Sequence, residues 1–329
     1  MKSFSIVICT YNPDFTIFKR LLDVLLRFES IYPNHEVIII DNNSQPGIQI
    51  NSIVKDFLVI KANTRLIKES TLGLTAARIA GIKAAKFDWL IFFDDDNEPS
   101  SDYLIKANAA IQKYPQVGSW GAAEVEVEYI GAVHKWLEVT KPLFQQRNVT
   151  STQFDNQTDW QHCYPFGTGL IISKTIAEKY EERVRRRVYT LTDRKGKSLA
   201  SGGDVQLVLT GIEQGYFAGI IAELKIKHLI DKSKATIDYL QKQQYGTASA
   251  YIIAYNQVFT QSPIIVRAVN NKQVLITAYC LFRIYYRKLI KEQFRLLFAS
   301  KMGELNARVE AQASKPPFLL RLYEKYIHG

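Results

Sequence analysis

Three carboxylates in a row, Asp94-Asp95-Asp96, follow the apolar run Trp89-Leu-Ile-Phe-Phe93 with no spacer, and Asn97 comes next. Adjacent carboxylates repel one another and are costly to desolvate, so a triplet at the end of a buried strand asks for a cation. Magnesium or manganese suits such a site, because these hard ions take oxygen ligands and are shared between carboxylates and substrate phosphates. Judged by three acids alone, a solvated acidic turn is the competing reading. Two more polar clusters end apolar runs in the same way: Thr10-Tyr11-Asn12 after Ser3 to Cys9, and Asp41-Asn42-Asn43-Ser44 after Glu36 to Ile40. The second would be an ordinary turn in most proteins.

These clusters need elements that bring them side by side. Ser3 to Cys9 is β-branched and apolar and stops at Asn12-Pro13, which predicts a strand running into a loop. Phe18, Leu21, Leu22, Leu25 and Leu26 recur at three and four, predicting a helix over 15–28 with one buried face. Glu36 to Ile40 reads as a second strand, Phe57 to Lys61 as a third, Leu74 to Ala85 as a helix and Trp89 to Phe93 as a fourth strand. Runs that are apolar throughout are those covered on both faces, so the expected fold class is α/β with a mainly parallel sheet and flanking helices. Ligands of such sheets bind at the carboxyl ends of the strands, where all three clusters fall. Val125, Val127 and Tyr129 alternate as a strand, and the polar stretch from Gln145 to Gln161 reads as loops around a pocket.

In order and spacing, SIVICTYNP, EVIIIDNNS and the glycine-bounded Gly73-Leu-Thr-Ala-Ala-Arg-Ile-Ala-Gly81 closely resemble family 2 glycosyltransferases of the GT-A fold. The resemblance covers about residues 3–230. It implies an inverting transfer from a nucleoside diphosphate sugar, UDP-linked by expectation, to a glycan or lipid-linked glycan. Thr10, Tyr11, Asn12, Asp41 and Asn43 would then hold the nucleotide, with Gly73 and Arg78 at the diphosphate. The triplet becomes the DxD motif, with Asp94 and Asp95 on the nucleotide sugar and Asp94 and Asp96 on Mn2+ or Mg2+. Without the resemblance, Arg78 would be an ordinary helix surface charge.

Tyr164-Pro-Phe-Gly-Thr-Gly169, before Leu170 to Ser173, resembles the segment that lines the donor sugar and acceptor. That implies pocket roles for Phe166, Gly167, Thr168 and Gly169, with Trp160 and His162 in the loop before them. Further on, the family carries an acidic pair whose second member is the catalytic base. Here the pair reads Gly203-Asp204, so Asp204 alone remains for the base, and Gly203 opens the alternative of a degenerate, sugar-binding relative. An inverting transfer needs one carboxylate to take the acceptor hydroxyl's proton as that oxygen attacks the anomeric carbon. The metal and Arg78 would offset charge on the departing diphosphate. Asp204 could equally cap the helix it begins. His228 matches a histidine that closes the GT-A site, sometimes as a third metal ligand, although a lone histidine is commonly structural.

The expected organisation is a GT-A domain over 1–232, with nucleotide-sugar binding in about 1–117 and the acceptor and catalytic part in about 118–232, then a helical, basic extension over 233–329. Within the extension, residues 272–301 read as one amphipathic helix: Arg283, Arg287, Lys291 and Arg295 recur every four residues, with Leu275, Tyr279, Phe282, Tyr286, Leu289 and Phe294 on another side. Such a helix fits an anionic membrane surface, a dimer interface or packing on the catalytic domain.

Composition narrows the remaining classes. The formal charge of +10 suits nucleic acid, anionic lipid or a phosphate-bearing substrate alike. No helix-turn-helix, zinc-finger spacing or aromatic RNA-binding strand pair accompanies it, so no nucleic-acid partner is expected. Nucleotidyl transfer to a sugar phosphate would want a glycine-rich, lysine-bearing loop after the first strand, and TYNPDF is neither. Three scattered cysteines, Cys9, Cys163 and Cys280, favour a reducing compartment. With the first apolar run too short for a signal peptide and no stretch near roughly 20 apolar residues, the expectation is a cytoplasmic protein, peripheral at the membrane's inner face if the basic helix binds lipid.

Overall fold

The computed structural model describes residues 1–131, 134–194, 196, 199–288 and 290–328. Its first half runs β1 (Phe4–Thr10), α1 (Phe15–Ile31), β2 (His35–Asp41), α2 (Ser52–Ile60), β3 (Thr64–Lys68), α3 (Leu74–Ala84) and β4 (Trp89–Asp94). β5 (Asn97–Pro99), α4 (Tyr103–Lys113), β6 (Val117–Tyr129), β7 (Arg147–Asn148), β8 (Gln153–Asp155), β9 (Leu170–Ser173), α5 (Lys174–Arg185), α6 (Gly203–Glu213) and β10 (Phe217–Ile230) follow. The elements described after that are all helices: α7 (Ile237–Val258), α8 (Asn271–Tyr285), α9 (Lys291–Ala311) and α10 (Phe318–His328).

The sheet order is β3-β2-β1-β4-β9-β6-β10-β5, with β7 on β6 and β8 on β10. β1, β2, β3 and β4 are mutually parallel, β9 is antiparallel to both β4 and β6, and β10 is parallel to β6. Alternate residues of β1 serve the two faces. Phe4, Ile6 and Ile8 pack with Phe18, Leu21 and Leu25 of α1, whereas Val7 joins Ala77 of α3 and Leu207 of α6 in the other layer. A Cβ at Gly81 would stand 2.3 Å from Val7 Cγ1, so α3 lies directly on the sheet at that point. Two-sided burial is the reason these strands read as unbroken apolar runs.

Two elements differ from their sequence reading. The run expected as a third strand, Phe57 to Lys61, falls mostly within α2. The Asn51 side chain accepts from Ile53 N and caps that helix, Val54 and Phe57 turn inward, and Val59 and Ile60 stay 83% and 66% exposed. Inward packing at i and i+3 outweighs the local apolar run, and the strand falls instead at Thr64–Lys68, a half-buried edge. The single basic helix expected over 272–301 is two helices. α9 presses Ala299, Met302 and Leu305 against Tyr245 of α7, while α8 buries only Val274 and Leu281, and Ile290 between them is extended. The two halves take different partners, so the arginine row is broken: Arg295 turns to Asp238 and Gln241 of α7, 3.2 and 2.6 Å away. Leu289 of the expected apolar stripe lies outside the described residues.

Candidate active site

The strand register assembles the three polar clusters. Thr10 of β1 pairs with Asp41 of β2, and Cys9 pairs with Asp94 of β4. Over these ends lies a cavity of about 280 Å³, lined by Thr10, Tyr11, Asn42, Gly73 and the three aspartates. Arg194, Leu199, Lys234 and Tyr239 close it from later segments; the sequence reading had given none of these four a role in the site. Gly73 begins α3 with φ +129°, a conformation that glycine adopts freely, and its N–H donates to Asn42 Oδ1 at 2.8 Å.

Within the triplet each carboxylate has its own surroundings. Asp95 accepts a hydrogen bond from Thr10 Oγ1; burial and the neighbouring Asp96 charge push its carboxyl up to about 7, against the pull of Lys234 and that hydrogen bond. Burial works against ionisation of Asp96 too, but there it is outweighed. Lys234 Nζ is 2.7 Å from Oδ2 and His228 Nε2 is 3.4 Å from Oδ1, and together they hold the carboxyl well below its usual range. β10 pairs His228 with Asn97 of β5, which fixes the imidazole beside the triplet. Burial lowers the pKa of His228, and the Asp96 carboxylate more than reverses that, so it lies above the ordinary histidine value.

His228 Nδ1 is 2.8 Å from the Phe144 carbonyl, which makes it the donor and leaves Nε2 facing Asp96. Anchored in this way, His228 in its neutral form would offer Nε2, 3.4 Å from Asp96 Oδ1, to a divalent ion shared with that carboxylate. Among the described residues, no group of three or more His, Cys, Asp or Glu is placed to hold a metal by itself. A hard ion at Asp96 and His228 would therefore complete its shell with the phosphates of a bound substrate and water.

α6 and the loop before β9 contribute no residue to the lining of this cavity; they meet each other beside Arg78. Asp204 is the second residue of α6; its Oδ2 accepts from Gly167 N at 3.1 Å and its Oδ1 from Val205 N at 3.0 Å. The alternative of Asp204 as the helix cap does not hold, because the cap position is Gly202 and its N–H is taken by Asp193. Asp193 Oδ1 accepts from Gly202 N and Gly203 N, each at 2.8 Å, and its Oδ2 is 2.5 Å from Arg78 Nη1. Arg78 is thus buried in an ion pair behind the cavity, not spread on a helix surface. Burial lowers its pKa, but Asp193, Asp204, Tyr180 and Asp94 together raise it above the ordinary value.

The remaining sequence candidates are placed as follows. Asp41 stands beside Thr10 but spends its carboxylate on Ser44 N at 2.9 Å and Ile48 N at 3.2 Å, shaping the 41–48 loop. Asn43 adopts φ +65°, and Asn12, at φ +48°, accepts from Gln45 N at 2.8 Å and lines a neighbouring cavity with Pro13 and Pro46. Tyr11 is half exposed at the cavity mouth. The Phe166 ring lies 3.9 Å beneath the Arg147 guanidinium, whose pKa burial lowers to about 10. Thr168 N donates to Gln145 Oε1 at 3.4 Å, and the Gly169 carbonyl accepts from Tyr103 at 2.7 Å. The Trp160 ring packs edge-on against Tyr164, and the Trp160 backbone N–H donates to the Tyr251 hydroxyl at 3.2 Å. Asp193 was missed as a site residue because nothing local marks it; its partner Arg78 is 115 positions away.

A curled, mostly parallel sheet with an acidic triplet at the end of β4, an antiparallel β9 and a helical C-terminal region is the architecture of GT-A glycosyltransferases. The family sequence description Glycosyl transferase family 2 matches residues 5–181, and the chain belongs to that family. Two curated relatives are each 29% identical. The amylovoran biosynthesis glycosyltransferase AmsB of Erwinia amylovora aligns over 190 residues, 56% of this chain and 58% of its own. The undecaprenyl-phosphate 4-deoxy-4-formamido-L-arabinose transferase of Aeromonas hydrophila aligns over 122 residues, 36% of this chain and 37% of its own. The chain therefore spans less than two thirds of either relative. The fold also matches the mannosyltransferase PcManGT of Pyrobaculum calidifontis, solved in complex with GDP-Man and Mn2+, with TM-score 0.54 and 13% identity over 99% of this chain and 79% of that one.

Proposed function

We propose that the protein is an inverting glycosyltransferase that moves a sugar from a nucleoside diphosphate donor, UDP-linked, to a glycan or lipid-linked glycan, with Asp204 as general base. The observation that carries this reading is the gathering of the strand-end acidic triplet with Arg194 and Lys234 around one cavity, while the buried Arg78 guanidinium and Asp204 both stand beside Gly167. One guanidinium thereby feels both the carboxylate that would deprotonate the acceptor and the acidic strand end that would face the diphosphate. Asp204, held by two backbone N–H groups, takes the acceptor proton, and Lys234 and Arg194, which line the cavity, offset charge on the leaving diphosphate, with the Arg78–Asp193 pair behind them. A divalent metal at Asp94, Asp96 and His228, when bound with the donor, supplies further charge neutralisation there. The names of the relatives, one in amylovoran biosynthesis and one acting on undecaprenyl phosphate, support sugar transfer to a glycan or lipid-linked acceptor, and the Mn2+ and GDP-Man of PcManGT support a divalent metal and a nucleoside diphosphate sugar.

The acceptor side bears on the C-terminal helices. α8 leaves Leu275, Ile276, Tyr279 and Phe282 exposed, and between Asp238 and Glu292 the chain has no acidic residue. An apolar, aromatic and purely cationic segment is the chemistry of an interfacial helix on an anionic bilayer. No helix among the described residues is long and apolar enough to cross a membrane, so this would be surface attachment.

Thermal unfolding with UDP, GDP, CMP and dTDP, each with and without Mn2+, tests the donor site. A ligand that binds only the folded state stabilises it by about 2.7 kcal/mol at a hundred times its Kd. Selective, Mn2+-dependent stabilisation by UDP is expected, and no response to any nucleotide would overturn the proposal.

A further inference from the structure

We infer that Asp193 supplies the carboxylate that Gly203 cannot, acting as a positioning residue for Arg78 and for the helix start that carries Asp204. The inference rests on the proposed function. Its geometric basis is the crowding on the Cβ side of Gly203: a Cβ there would stand 2.2 Å from Asp193 Oδ2 and 2.9 Å from Arg78 Nη1. An acidic side chain at position 203 would therefore project into the volume that the Asp193 carboxylate already fills. The acid stands ten positions upstream, and glycine at 203 is what leaves room for it.

The bonding of Asp193 defines its task. It is almost fully buried, its own N–H is held by Thr75 Oγ1 at 3.1 Å, and its oxygens take Gly202 N, Gly203 N and Arg78 Nη1. An anion on the first N–H groups of a helix, paired with a buried guanidinium, is doubly compensated. With those lone pairs committed, Asp193 is poorly placed to accept an acceptor's proton, and that task stays with Asp204. What Asp193 fixes is the first turn of α6, which directs Asp204 Oδ2 onto Gly167 N, and the guanidinium: a Cβ at Gly167 would lie 3.0 Å from Asp204 Oδ2 and 3.5 Å from Arg78 Nη2. Gly203 therefore does not mark a degenerate site.

Moving the carboxylate back tests this. UDP release from UDP-glucose, UDP-galactose and UDP-N-acetylglucosamine with Mn2+, water serving as acceptor, is measured for the wild type, Asp193→Asn, Asp193→Gly, Gly203→Asp and the double variant Asp193→Gly/Gly203→Asp, with melting temperatures alongside. Asp193→Asn and Asp193→Gly are expected to lower kcat about 10- to 100-fold, Gly203→Asp to be impaired by crowding two carboxylates, and the double variant to regain at least about tenfold over Asp193→Gly. Wild-type kcat in Asp193→Asn, or a double variant that regains melting temperature but no kcat, overturns the positioning role. Absence of turnover in the wild type on all three donors, together with no response to any nucleotide in thermal unfolding, would instead sink the parent reading, and this inference with it.

Discussion

Asp204→Asn is the substitution that separates chemistry from folding most cleanly. Asn has the shape of Asp but cannot take a proton, so the loss expected for a positioned general base is about 10²- to 10⁴-fold in kcat, or roughly 3–5 kcal/mol of barrier. The structural cost is worked from two hydrogen bonds. Asp204 accepts from Gly167 N and Val205 N through different oxygens, and Asn keeps one acceptor, so one backbone N–H loses its partner. That is about 1 kcal/mol, or roughly 1–2 °C of melting temperature for a chain of this size. Arg78 also loses one of the charges that raise its pKa, but it keeps Asp193. UDP release under saturating donor, read beside a thermal melt, should therefore show a rate that collapses while the fold persists. A kcat within about threefold of wild type would refute the assignment, because no base of this kind is worth so little.

Other expectations follow from packing, burial and charge. Gly81→Ala should destabilise by about 1–3 kcal/mol in a denaturant titration, since the new methyl meets Val7 Cγ1 at 2.3 Å and β1 is fixed between two neighbours. Burial pushes the Cys9 thiol up to about 12, so at pH 8 only about one molecule in 10⁴ carries the thiolate and alkylation should begin only as pH climbs towards that value. Mass spectrometry of iodoacetamide-treated protein should accordingly find exposed Cys280 modified long before Cys9. Phosphatidylglycerol vesicles should slow that labelling of Cys280 and carry the protein upward in flotation. Phe282→Ser with Tyr279→Ser should abolish both effects, and a concentration-dependent dimer unaffected by vesicles would show a second copy on that face instead.

Much of the α/β framework was legible because its signals are local. β1, β2 and β4 are covered on both faces, so their residues are apolar in unbroken runs, and each run ends where polar side chains must meet solvent or ligand. α2 was not legible from its apolar run, because Phe57 to Ile60 suits a strand as well as a helix until Val54 and Phe57 are seen to point the same way into the core. The division of 272–301 was equally hidden, since a stripe of arginines every four residues says nothing about which neighbour each half packs on.

By itself the sequence determined the α/β class, the family, and the polar clusters at Thr10, Asp41 and Asp94, all of them patterns within a few residues of chain. Only the tertiary structure decided how those clusters are wired: Asp96 between Lys234 and His228, Asp41 turned to its own loop, and Asp193 in the space left by Gly203. The physical reason is distance along the chain. Arg78 and Asp193 are 115 residues apart, and Lys234 and Asp96 are 138 apart. No local spacing encodes which buried charge will compensate another; that follows only once the sheet and helices have closed around them.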